Sequence, residues 1–152
     1  PRLLSSAASD VYKRQACAAG IAVLQTMLEQ NLPEQVKEKG SGLRQALQQQ
    51  FAEHPNVGDV RGRGLFLGIE LVQDKQTKEP LNPNFNLPEQ IRHTAMQHGL
   101  LCYPMGGTID GRRGHHVLLA PPFIINDAEL ELIVERLSST LNAILPALDQ
   151  AA

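Results

Sequence analysis

The sequence predicts a small domain of the α/β class, α+β in kind, in which helices cover a small sheet. Apolar residues recur at helical spacing at both ends of the chain, and between them they switch to the two-residue period of strands. Gly and Pro punctuate the changes. A length of 152 residues with 42% hydrophobic content is enough to bury a core in one globular domain.

The first fifteen residues stand apart. Ser5 to Gln15 reads SSAASDVYKRQ, which resembles a translated transposase adaptor from a sequencing library and shows no apolar face of helical or strand period. The domain is therefore expected to be 16–152, with 1–15 not native. From Ala16 to Gln30, small residues and then Ile21, Leu24 and Leu28 follow a helical interval with no capping residue before them, so the helix is expected to enter from upstream. Apolar surface on it is expected to be left exposed. Asn31-Leu32-Pro33 breaks it, and Pro33 suits the first turn of the next helix. Val36, Leu43, Leu47 and Phe51 give that helix an apolar stripe to about Glu53, weakened by Gly40 and Gly42.

After His54-Pro55-Asn56 the period becomes two. Leu65, Leu67, Ile69 and Leu71 alternate with Phe66, Gly68, Glu70 and Val72, which predicts a strand from about Gly64 to Val72 with one face buried. A solvated charged turn, Asp74 to Pro80, extends through an Asn/Pro-rich loop. Leu87-Pro88-Glu89 opens a helix through Ile91, Ala95 and Met96, and Gly99 is placed to end it in the left-handed region. Leu100 to Tyr103 predicts a short strand, Met105 to Gly114 a Gly-rich loop, and His116 to Leu119 another strand that Pro121-Pro122 stops. Asn126 and Glu129 nearly match a capping box before a last amphipathic helix with Leu130, Ile133, Val134, Leu137, Leu141 and Leu145 on one face.

Charge excludes several functions. A formal net charge of -2 provides no basic field for phosphate backbones or anionic lipid, so neither nucleic acid nor membrane is an expected partner. No apolar run reaches the roughly 18 to 20 residues of a membrane span. The two cysteines, Cys17 and Cys102, have no metal or disulfide spacing, which suits reducing cytoplasm. Cys17, among alanines, reads as a packed small side chain, and Cys102 has no evident activating base. His115 and His116 are adjacent on a strand and face opposite ways, so they do not share a metal ion. Gly62-Arg63-Gly64 leads into a strand where a dinucleotide fingerprint needs a helix; its glycines are expected to bend the backbone between short strands, with Arg61 paired to a carboxylate or carbonyl.

Six segments occur in a meaningful order: Ala16-Cys17-Ala18-Ala19-Gly20, Val60 to Leu65, Gly68-Ile69-Glu70-Leu71, Gly99-Leu100-Leu101, Gly106-Gly107-Thr108 and Ala120 to Ile125. Together they resemble the carboxy-terminal small domain of class III pyridoxal-phosphate-dependent aminotransferases, over essentially Ala16 to about Ala147. The resemblance implies a mostly antiparallel small sheet, in the fold type I of these enzymes, beside a large domain that binds pyridoxal 5'-phosphate. It also implies a homodimer in which two subunits share each active site, an amino donor, and a keto acid as acceptor. The family's reaction needs a lysine, and Lys37, Lys39, Lys75 and Lys78 all read as solvated, so that lysine is expected in a domain upstream of this chain.

Substrate carboxylates call for arginine. Many relatives carry one two or three residues before the Pro-Pro pair; here Leu118 and Leu119 stand there. Arg112 and Arg113, in the Gly-rich loop, are either substitutes on a flexible segment or plain solvated arginines. Tyr103 lines the substrate entrance or packs at a rim. The apolar strand is similar to that of omega-amino acid or amine:pyruvate transaminases, and an aminomutase or decarboxylating transaminase shares the architecture. A non-enzymatic module gripping an anion with the Gly-rich loop is the alternative from a different class.

Overall fold

A computed structural model describes residues 6–149, with side chains described over 12–145. The chain divides into two units between Gln35 and Val36. In the first, α1 (Ser6–Glu29) runs unbroken through Ala16, so the change in composition at Gln15 is not marked by a helix end. Ile21, Leu24 and Leu28 are exposed on it, as expected. Cys17 is exposed too, because its alanine neighbours do not bury it, which corrects the expectation of a packed side chain. Asn31, at φ 49°, takes the left-handed conformation that Asn tolerates and separates α1 from α2 (Leu32–Gln50).

The second unit holds β1 (Val57–Arg63), β2 (Phe66–Leu71), α3 (Leu87–Gln97), β3 (Tyr103–Gly106), β4 (His115–Leu119) and α4 (Asp127–Asp149), with a 3-10 turn at Pro83–Phe85 in the Asn/Pro-rich loop. The strands form one sheet in the order β1-β2-β4-β3, every pair antiparallel. The expected strand over 64–72 proves to be the second arm of a hairpin, and β1 was not legible. Its Val57 and Val60 are both buried although three residues apart, because the register shifts between Val57 and Asp59. Such a bulge breaks the alternation by which a strand is recognised. The strand expected over Leu100–Tyr103 begins instead at Tyr103, and the Gly-rich loop starts only after Gly106.

Register explains which face is buried. Val60, Ile69, Val117 and Pro104 form one row across all four strands, every member buried. Leu43 and Leu47 of α2, Ile91 and Ala95 of α3, and Leu137, Leu141 and Leu145 of α4 join Ile69 and Val117 in one core. Met96 is exposed, off the buried stripe of α3. Gly40 is required rather than merely tolerated: a Cβ there would lie 2.1 Å from the Gly64 carbonyl oxygen, where the β1–β2 hairpin rests on α2. The capping box forms in full, the Glu129 N–H donating to Asn126 Oδ1 at 2.9 Å and the Asn126 N–H to Glu129 Oε2 at 2.9 Å.

Candidate functional site

The sheet's other face carries two rows of side chains. Arg61, Gly68, Leu118 and Tyr103 are register partners in one; Asp59, Glu70, His116 and Met105 in the next. Arg61 pairs with Asp59 at 3.0 Å and Glu70 at 3.4 Å, as its sequence setting suggested. The Asp59 hydrogen bond raises the guanidinium's pKa further.

At the end of the sheet where β3 starts and β4 stops, Phe66, Leu101, Tyr103, Leu118, Pro121 and Pro122 line an apolar groove of about 650 Å³. Pleat geometry separates Leu118 from Leu119, the two positions at which the resemblance led one to look for an arginine. Leu119 is buried and turned to the core face, so it borders the groove only from within, whereas Leu118 points to the opposite face and stands beside Tyr103. Cys102 also borders the groove; burial pushes its thiol up to about 11, which keeps it protonated and unreactive at neutral pH. Phe66 and Leu101, both well exposed, were not singled out from sequence, although strict alternation along β2 already turned Phe66 away from the core.

The Gly-rich loop lies at the opposite end of the β3–β4 hairpin, about 10 Å of strand from Tyr103. The structure therefore brings Tyr103 together with Leu118 but not with Arg112 and Arg113. The loop is bound to itself: the Ile109 N–H donates to the Arg113 carbonyl at 3.0 Å and the Gly111 N–H to the Gly107 carbonyl at 2.9 Å. Asp110, overlooked in the sequence, organises it. Its carboxylate accepts from the Arg112 and Arg113 N–H groups at 3.0 and 2.7 Å and from Arg113 Nε at 2.7 Å. The Arg113 contacts come first among the causes that hold Asp110 down at about 2. Aspartate two residues before the amide it receives is the sequence signal of such a turn.

Lys37 and Lys78 are exposed, in keeping with the sequence, whereas Lys39 and Lys75 are half-buried. Lys39 Nζ donates to the Ile125 carbonyl at 2.7 Å, Lys75 Nζ to the Phe51 and Ala52 carbonyls at 3.0 and 2.6 Å, and Lys78 Nζ to that of Gly58. Among the described residues, no group of three or more His, Cys, Asp or Glu could hold a metal ion, and no helix is long and apolar enough to cross a membrane.

The family model described as Aminotransferase class-III matches residues 14–141. An uncharacterised aminotransferase of Schizosaccharomyces pombe is 44% identical over 133 residues, covering 88% of this chain and 29% of that protein. A taurine–pyruvate aminotransferase of Bilophila wadsworthia is 35% identical over 119 residues, covering 77% of this chain and 25% of the relative. Among solved structures, a thermostable (S)-enantioselective omega-transaminase from Thermomicrobium roseum superposes with a TM-score of 0.75 at 32% identity, covering 86% of this chain and 27% of that one. The chain thus spans less than a third of the length of the proteins it matches.

Proposed function

Because the chain belongs to the class III aminotransferases, a pyridoxal-phosphate-dependent family, we propose that it is the carboxy-terminal small domain of a transaminase that takes its amino group from an omega-amino acid or an amine and passes it to a keto acid such as pyruvate. Residues 1–15 are then adaptor-derived and not native, and 16–152 the domain. The intact protein is a cytoplasmic homodimer, and its cofactor and Schiff-base lysine belong to a large domain outside this chain; by itself the chain is inactive. The carbonyl-bound lysines support that division.

The observation that carries the substrate class is Leu118 on the groove face beside Tyr103. A fixed, buried guanidinium would be left unpaired whenever an uncharged amine occupied the site, which is costly. An apolar wall accepts the amine without that cost. Tyr103 lines the substrate entrance with Leu118. Of the two loop arginines, Arg113 is tied to Asp110, which leaves Arg112 the better donor to a carboxylate. Since the loop and Tyr103 stand at opposite ends of β3, one small substrate meets one or the other.

The test is donor specificity in the full-length enzyme. A short omega-amino acid and an aliphatic amine are expected to transfer to pyruvate, and Arg112→Ala is expected to raise the KM for pyruvate while leaving amine binding unchanged. Activity confined to alpha-amino acids would overturn the assignment.

A further inference from the structure

His115 stands on the wrong side of the sheet for an ionisable residue. Its register partners are Leu71 of β2 and Gly106 of β3, and the row continues to Val57 of β1, on the face that the helices cover. Only 4% of it is exposed, and its Nδ1 has no hydrogen-bond partner. The ring lies against the Gly106 backbone, where a Cβ would come within 3.3 Å of the His115 Cδ2. Next in the chain is Gly114, at φ 87°, on which the loop closes: a Cβ at Gly114 would meet Thr108 Oγ1 at 2.6 Å. Ring, hairpin end and loop are thus packed as one piece.

We propose that His115 is an acid-sensitive latch: taking up a proton drives its ring from the apolar side of the sheet and opens the end of the β3–β4 hairpin together with the loop at 107–114. Protonation would place an N–H on Nδ1 with no acceptor, and a charge among apolar neighbours. Among the described residues the carboxylates around it are turned away or committed: in the loop, Asp110 accepts from the Arg112 and Arg113 N–H groups and from Arg113 Nε. On β2 the adjacent Glu70 faces the opposite side, toward His116. On β1 the nearest charge is Asp59, which is paired with Arg61. β3 brings Gly106, and its only titratable residue, Tyr103, is at the far end. On α3, Glu89 pairs with Arg92. His116, across β4, adds only further positive charge when it protonates.

Burial first, and then His116, lower the His115 pKa below 6.5. The open hairpin, with a histidine of ordinary pKa, takes the proton before the closed one does. Closure is therefore complete above pH 6.5 and is lost as pH falls below it, by about tenfold per pH unit until the closed form also titrates.

Hydrogen exchange on this chain, corrected for the intrinsic effect of pH, tests the latch between about pH 7.5 and about pH 5.5. The amides of Ile109, Gly111 and β4 are expected to lose protection toward the acid end, by at most about tenfold, with those of β1 unchanged. His115→Leu is expected to abolish the loss and His116→Gln to keep it. Should His115→Leu fail to fold, the imidazole titration of the wild-type chain decides, with a midpoint below 6.5 expected for His115. Protection that does not change with pH, a loss shared equally by β1, a loss that survives His115→Leu, or a His115 midpoint at or above 6.5 would each overturn the proposal.

Discussion

Single atoms decide several features here, and the two glycines of α2 show it most directly. Both weaken the helix on propensity alone, yet Gly40 faces the Gly64 carbonyl and Gly42 has nothing within 4 Å of an added Cβ. Gly40→Ala must push backbone against backbone, and the expected cost is about 1–3 kcal/mol, the range of an overpacked core. Gly42→Ala should instead gain roughly 0.5–1 kcal/mol, the ordinary helix preference for alanine. Urea unfolding of the two variants, read side by side, separates these signs. Composition gave the two glycines the same weight; only the approach of the hairpin distinguishes them. The site shows the same difference. Leu118 and Leu119 had equal standing in the chain, and the pleat turned Leu118 to the Tyr103 face and Leu119 to the core face, though both border the groove.

Among the elements, those with local signals were the ones legible in the sequence. α4 starts where Asn126 and Glu129 announce it, since each satisfies the other's backbone N–H without help from the rest of the fold. Asn126→Ala should cost about 1 kcal/mol, measurable as a lower urea midpoint at unchanged slope. α3 ends before Gly99, at φ 75°, for an equally local reason. β1 had no such signal. Two glycines, charged residues and a bulge give VGDVRGR no alternation, and it is a strand because β2 offers it a ladder of hydrogen-bond partners. β3 was misplaced for a related reason: its start is set by pairing with β4, and the apolar Leu100 and Leu101 before it suggested an earlier one.

At the scale of the whole molecule, what matters is how much of an enzyme this chain supplies. It offers an apolar groove, a loop organised by Asp110, and lysines that donate to carbonyl oxygens. Mixed with pyridoxal phosphate and reduced with borohydride, it is therefore expected to show no stoichiometric labelling at one lysine; a single fully labelled site, identified by peptide mapping, would return the catalytic lysine to this chain.

The sequence by itself determined the family, the α+β class, the helices and the central strand β2, because periodicity, caps and family segments are carried by residues close together in the chain. Tertiary structure decided the rest. It created β1 by pairing, made Gly40 indispensable, sent His115 to the apolar side of the sheet, and separated Tyr103 from Arg112 and Arg113 by the length of β3. Each of these depends on which strand lies beside which and in what register, and that is fixed only when distant segments pack over a common core.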